Sequence, residues 1–459
     1  IGNPPYIKEY TDKSAFDGIR NSDYYQGKMD LWYLFACKGI DFLNNAGHLC
    51  FIATNNWVTN AGASKMRNKV ISDSKIIQLV DFGNFMIFES ASIQTMVMIF
   101  EKNKVVDNYS FDFRKLSGNT TKTDSIDLLF KNENSKATYL IPTINRNQNL
   151  DSLLTFNNTS DDNILDKIHH NSVFFTEKEV ANGIHPHYDF VNNKIATKHG
   201  ITVGQGIFGL SDFEKNNLCL TTEELQLIKP YYTTEEVQKY FTKSKHSLWL
   251  IYTDSSYKNH NSLKNYPNLK KHLDKFSNVI TSDNKPYGLH RAREERFFIG
   301  EKIIVQRKCA GHPSFSYADF DTYVSATFYV IKSDSINHKY LLGLLNSKLI
   351  EFWLKKKGKM QGDNFQLDKE PLLDIPIHKP TEKEQYSIIN YVDQILSSKQ
   401  TNPQSPTTAL ERKIDEVVFK LYDLTYAEVL VVCPDFWLSE GEYGEIKVVE
   451  YEAVNSEVL

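Results

Sequence analysis

The chain has 459 residues, enough for two or three domains, and 41% of them are hydrophobic, which excludes a peptide or a disordered tail. Fifty-three Lys and Arg against 57 Asp and Glu leave a net charge of −4, which excludes a polybasic nucleic-acid coat but not a local basic cleft. Cys37, Cys50, Cys219, Cys309 and Cys433 are scattered without a CxxC pair, and no apolar run approaches the roughly 18–20 residues of a membrane span. With no signal peptide, we expect a soluble cytoplasmic protein with no membrane partner.

In chain order, the first feature is Ile1-Gly2-Asn3-Pro4-Pro5-Tyr6, and residues 8–30 after it are polar and loop-like. A chain opening two residues before its sharpest motif leads us to expect a fragment cut inside a domain. From Asp30 to Asn45, Leu31, Leu34, Phe35, Ile40 and Leu43 fall near 3.6 spacing and predict an amphipathic helix, stopped by Asn45-Ala46-Gly47. The short apolar run from His48 to Ala53 predicts a strand buried on both faces, Ser64 to Ser74 a second helix, and Ile76–Phe82 and Thr95–Phe100 further buried strands. This alternation predicts α/β layering over residues 1–105. Residues 106–162 turn polar, as at Ser117-Gly118-Asn119-Thr120-Thr121, and read as an insertion or linker. A mixed, aromatic-rich α/β domain follows over 163–380, then a helical extension and tail over 381–459. That extension holds helices near 381–398 and 409–422, the second opened by a capping box of Thr408 and Glu411.

Asn3-Pro4-Pro5-Tyr6 carries a specific chemistry. An aromatic exocyclic amine such as adenine's is a poor nucleophile because its lone pair is delocalised into the ring. The Asn3 side-chain oxygen and the Pro4 carbonyl can each accept one of its N–H groups, drawing the nitrogen toward tetrahedral geometry. Two prolines hold the turn so that the acceptors converge, and Tyr6 offers a face for stacking. Rate then comes from orientation and electrostatics rather than from a strong base.

These residues resemble the catalytic motif of the N6-adenine DNA methyltransferases of the TaqI-like and Eco57I restriction–modification type. Tyr25 to Phe35 is similar to the helix that follows the motif in that family, and Gly47 to Trp57 to the next strand and turn. Phe88-Glu89-Ser90-Ala91-Ser92-Ile93-Gln94-Thr95 is similar to the segment whose leading Phe packs on the target base. The region from Ile164 through Gly200–Gly204 to Pro376 resembles the TaqI-like specificity domain. The resemblance implies the C-terminal half of a doubly wound, Rossmann-like methyltransferase sheet, then a mixed α/β target-recognition domain and C-terminal helices. It implies S-adenosylmethionine as methyl donor, flipping of an adenine out of double-stranded DNA, and a base held between Tyr6 and Phe88. It also implies a restriction endonuclease as a fused or separate partner. In the family the glycine-rich cofactor loop and its ribose-binding acid precede the catalytic motif, so most cofactor contacts are expected upstream of Ile1, and this chain alone is expected to be inactive.

The densest basic tract spans Lys285 to Arg296 and includes Arg291, Arg293 and Arg296; Arg307 and Lys308 follow, and Lys355, Lys356 and Lys357 form a second run. All eight are candidates for DNA contact, against the alternative of solvated faces. Asp81-Phe82-Gly83 reads as a strand end. Gly204-Gln205-Gly206-Ile207-Phe208-Gly209 reads as a turn, since Leu210 to Glu214 begins no convincing helix to hold a phosphate. Pro434-Asp435 with Glu445-Ile446-Lys447 matches a nuclease pattern that recurs by chance, and no histidine spacing suggests a metal. Two other readings stay open: a non-catalytic DNA-recognition subunit of a restriction complex, and a protein-glutamine methyltransferase, against which the long C-terminal region argues.

Overall fold

The computed structural model describes residues 1–88, 93–104, 107–116, 124–157, 159–170, 172–361 and 364–448. The chain divides into two compact units, Ile1–Asn163 and Ile164–Leu459. Both mix α and β, as expected.

The first unit is built on strands β1 (His48–Thr54), β2 (Ser74–Asp81), β3 (Thr95–Lys102), β4 (Asp112–Leu116) and β5 (Ala137–Leu140) in the order β1-β3-β2-β4-β5. β3 runs antiparallel to both β1 and β2, whereas β2 and β4 are parallel. Along β2 and β3, Leu79, Met96 and Met98 enter one apolar cluster while the alternate residues Val80 and Val97 enter another. Both faces of the sheet are therefore covered, which explains the near-continuous apolar runs. Helices α1 (Trp32–Phe42) and α2 (Ser64–Asp73) flank it; α1 is shorter than the periodicity predicted and buries Trp32, Tyr33, Ala36, Cys37 and Ile40. The stretch read as an insertion contributes β4 and β5 to this sheet; only Phe113 and Leu116 of β4 are buried, too few to mark a strand by pattern. Ser117 to Thr121 lies outside the described residues.

In the second unit, strands up to the middle of the chain are β6 (Val180–Asn182), β7 (Gly209–Ser211), β8 (Ile228–Tyr232), β9 (Tyr240–Phe241) and β10 (Leu248–Ile251). β11 (Lys302–Gln306), β12 (Lys308–Ala310), β13 (Phe315–Ala318), β14 (Tyr323–Val324), β15 (Phe328–Ile331), β16 (Lys359–Gln361) and β17 (Asn364–Gln366) follow. They form sheets ordered β7-β10-β8-β14 and β9-β13-β11-β15-β6, and a three-stranded ribbon β12-β17-β16. Four helices, α3 (His338–Leu345), α4 (Lys348–Lys357), α5 (Glu382–Thr401) and α6 (Thr408–Leu421), share the largest apolar core with the five-stranded sheet. Gly343 lets α3 approach α5 and α6: a Cβ there would stand 2.4 Å from Ile388 Cγ2.

Two local expectations change. Thr408 and Glu411 form no capping box; Thr407 is the N-cap residue of α6, and its hydroxyl donates to Glu411 Oε1 at 2.7 Å. The capping box stands instead on α5, between Thr381 and Glu384. After the GxGxxG stretch, Asp212–Asn217 is helical, opened by a capping box of Ser211 and Glu214. Its Ser-x-x-Glu signal was present in the sequence. Glu214 also accepts the Gly206 amide at 2.7 Å, so a carboxylate of the protein occupies the place an anion would take, in keeping with a turn. Asp81 Oδ1 likewise accepts the Gly83 amide and the Asn55 side chain, both at 2.9 Å, as a strand end does.

Asp415, only 6% exposed on α6, accepts the Lys348 amide at the start of α4 at 2.7 Å. Burial pushes its carboxyl up to about 7. An acid held protonated longer in the folded than in the unfolded state stabilises the fold fully below the unfolded value near 4, and that contribution is lost as pH rises to about 7. Asp415→Asn keeps an acceptor and removes the titration. Its stability relative to the native protein is expected to rise by about 2 kcal/mol between pH 5 and pH 8. Urea titrations at both pH values check this; parallel behaviour would remove the burial argument.

Candidate active site

Gly2 starts the site. Its amide donates to the Cys50 carbonyl at 2.9 Å and its carbonyl accepts the Ile52 amide at 3.2 Å, a parallel bridge to Phe51 that lays the chain start along β1. A Cβ on Gly2 would meet the Phe51 ring at 3.0 Å. Asn3 and Pro5 are exposed, Pro4 is buried and Tyr6 half-buried, so the turn presents its amide and anchors on its neighbours. The Tyr6 hydroxyl contacts Asn3 Oδ1 and the Ile52 carbonyl, the latter at 2.7 Å. With one proton to donate, it is held between two acceptors and fixes the Asn3 amide relative to β1. Burial, then the charge of Asp30, pushes the Tyr6 phenol up to about 12, so it remains a neutral donor at physiological pH.

The Tyr6 and Phe88 rings lie 6.4 Å apart, tilted by 54°. A base between parallel faces needs roughly 7 Å, about 3.5 Å on each side. The two rings are therefore near that spacing, and rotation of one would make a slot. Glu89 to Ser92 lie outside the described residues.

The turn is braced from behind by residues 26–31. Lys8 and Asp30 form an antiparallel bridge, Glu9 donates its amide to the Met29 carbonyl at 2.9 Å, and Leu31 donates to the Ile7 carbonyl at 2.9 Å. Gly27 and Lys28 take positive φ of 81° and 52°, turning the chain into this brace. Gln26 ties it to the start of α2: its Nε2 donates to the Ala61 carbonyl and its Oε1 accepts the Lys65 amide, both at 2.7 Å. Asp30 is 3% exposed and its Oδ1 has no hydrogen-bond partner. Burial pushes its carboxyl up to about 6, against the opposing pull of nearby backbone amides and Lys8. Sequence reading quoted Asp30 without giving it a role; a lone carboxylate beside an apolar helix gives no pattern to read.

The eight basic candidates have different partners. Arg291 and Arg293 stand near His185, His187 and His290: the His185 and His290 rings are 5.2 Å apart, and Arg293 donates to the Gly183 carbonyl at 3.3 Å. Arg296 is engaged by Glu294 at 2.9 Å and the Lys178 carbonyl at 2.6 Å. Arg307 pairs with Asp368 at 2.7 Å. Lys308 is exposed on the ribbon; on α4, Lys355 pairs with Glu351 at 2.6 Å, Lys356 lies over the Phe352 ring, and Lys357 is exposed. Among the described residues, no group of three His, Cys, Asp or Glu could hold a metal ion. All five cysteines are free, and no helix among the described residues is long and apolar enough to cross a membrane.

A cofactor carrying a nucleoside and a methionine needs an open cradle and acids for its hydroxyls. Gly62 and Gly83 are closed by backbone of the protein itself, at 2.0 Å and 2.4 Å from a built Cβ. Asp30 is a single buried carboxylate with one unpartnered oxygen. The described residues around Asn3 do not compose such a cradle.

Residues 1–88 match the Eco57I restriction-modification methylase family, and residues 229–377 match the TaqI-like C-terminal specificity domain. The type II methyltransferase M.HincII of Haemophilus influenzae is 22% identical over 438 residues, covering 87% of this chain and 78% of the relative. M.HindII of Haemophilus influenzae is 23% identical over 438 residues, with 87% and 79% coverage. Among solved structures, the type IIL restriction-modification enzyme MmeI in complex with DNA is similar in fold, with a TM-score of 0.61 at 14% identity. That match covers 97% of this chain, which spans 57% of the MmeI chain.

Proposed function

We propose that this protein belongs to the machinery that methylates the N6 amine of an adenine flipped out of duplex DNA at a defined sequence. The observation that carries this reading is the Asn3 amide, exposed and held by the Tyr6 hydroxyl at the edge of β1. Asn3 Oδ1 retains a lone pair beyond the one facing Tyr6, and with the Pro4 carbonyl it holds the amine by its two N–H groups. Tyr6 and Phe88 take the extracted base between them, offsetting part of the few kcal/mol that flipping costs. The second unit supplies sequence recognition, as the TaqI-like match suggests. S-adenosylmethionine is the methyl donor this reading implies. A restriction endonuclease is the corresponding partner.

The test supplies the full-length protein with S-adenosylmethionine carrying a labelled methyl group, together with duplex DNA and a glutamine-bearing protein substrate. Label in DNA supports the reading; label in protein, or site-specific binding without transfer, overturns it. Tyr6→Phe, which removes only the hydroxyl, is expected to slow transfer by roughly 10- to 100-fold, the loss of the contact that holds the Asn3 amide. Duplex affinity should be unchanged, and an unaltered rate would remove the hydroxyl from the mechanism.

A further inference from the structure

The ribbon β12-β17-β16 is described by no function so far. Its register sets Lys308 opposite Gln366 and Gln366 opposite Lys359; one step along, Cys309 faces Phe365 and Phe365 faces Met360. A further step pairs Ala310 with Asn364. Side chains alternate across a strand. The middle row of Cys309 and Phe365 is buried at 4% and 1% exposure, with Met360 packed against the same core. The opposite face therefore carries Lys308, Gln366 and Lys359 in one row and Asn364 in the next, about 7 Å away.

That outer face is built of donors and acceptors rather than apolar groups. Lys308 and Asn364 are exposed, and Lys308 makes no ion pair among the described residues. Gln366 Nε2 donates to Asp368 Oδ2 at 3.3 Å. Asp368 also takes Arg307 at 2.7 Å and Lys359 at 3.4 Å, holding both cations beside the ribbon. A concavity of about 360 Å³ opens over this surface between Lys308 and Asn364. The concavity is lined by Lys308, Cys309, Ala310, Asn364, Phe365 and Gln366.

We propose that this ribbon is the element that enters the major groove of duplex DNA, with Asn364 and Gln366 reading base edges and Lys308 and Lys359 holding the flanking phosphates. The inference rests on the reading of the protein as a DNA methyltransferase. The major groove admits a two-stranded β-ribbon, here β16 with β17 and with Lys308 of β12 beside it, and side-chain amides match the paired donor and acceptor that adenine shows there. Two rows about 7 Å apart are spaced by about two base-pair steps of ~3.4 Å. The cations supply the sequence-independent attraction.

The test exposes the full-length protein to a pool of random-sequence duplexes, sequences the bound fraction, and measures affinity across a salt series. Asn364→Ala and Gln366→Ala should each flatten the selected sequence at one or two base pairs by about tenfold or more. Lys308→Ala should weaken binding to all sequences alike and lower the slope of log affinity against log salt by about 1. If the native protein selects a sequence and these variants, equally stable, select it with the same preference and salt slope, the ribbon assignment is overturned while DNA recognition stands. If the native protein binds no duplex, both fall.

Discussion

Asn3→Ala in the full-length protein is expected to reduce methyl transfer by roughly 10²–10³-fold or more while leaving duplex affinity within a factor of about two. The exposed Asn3 amide buries no core surface, so truncation removes an acceptor and little stability. On the proposed reading, what disappears is one of two groups that orient the amine for attack. A substitution acting only in the transition state lowers kcat and kcat/KM together. Single-turnover transfer alongside equilibrium binding checks the split. A parallel loss of transfer and binding would mean that Asn3 supports DNA docking instead.

The largest structural effect is expected at Gly62. A Cβ there would stand 2.0 Å from the Lys28 carbonyl oxygen and 2.8 Å from its carbon, both backbone atoms that no rotamer change can move. Lys28 sits in the brace that pairs residues 29–31 with residues 7–9 behind Tyr6. Gly62→Ala should therefore cost about 2 kcal/mol or more of stability and shift the Asn3–Tyr6 turn with it. Thermal unfolding followed through the buried Trp32 and Trp57 reads the first effect, and the transfer rate at a temperature where the variant is folded reads the second. Near-native stability and rate would show that the brace yields without disturbing Tyr6.

These two residues also show what could be read in advance. Asn3 stood out because its chemistry is contained in four consecutive residues. Gly62 did not, because its constraint is a contact with Lys28, 34 positions earlier, and nothing local marks it. The long apolar strands β1 and β3 were legible because both sheet faces are buried. β4 and β5 were not, since a short strand with two buried residues reads as a polar linker. The ribbon was hidden for the same reason: Lys-Cys-Ala and Asn-Phe-Gln alternate over only three residues, and the alternation gains meaning once the strands are paired. The basic residues were found by type, but their partners were not; Arg296 and Arg307 are each engaged by a carboxylate that composition cannot assign.

The account's central claim is that Asn3 and Tyr6 act on the N6 amine of adenine. Its most direct test is mass spectrometry of nucleosides from the DNA of cells that lack adenine methylation and express the full-length protein or its Asn3→Ala variant. N6-methyladenine with the native protein and none with the variant is the predicted result. Methylated cytosine, or N6-methyladenine undiminished in the variant, would contradict it.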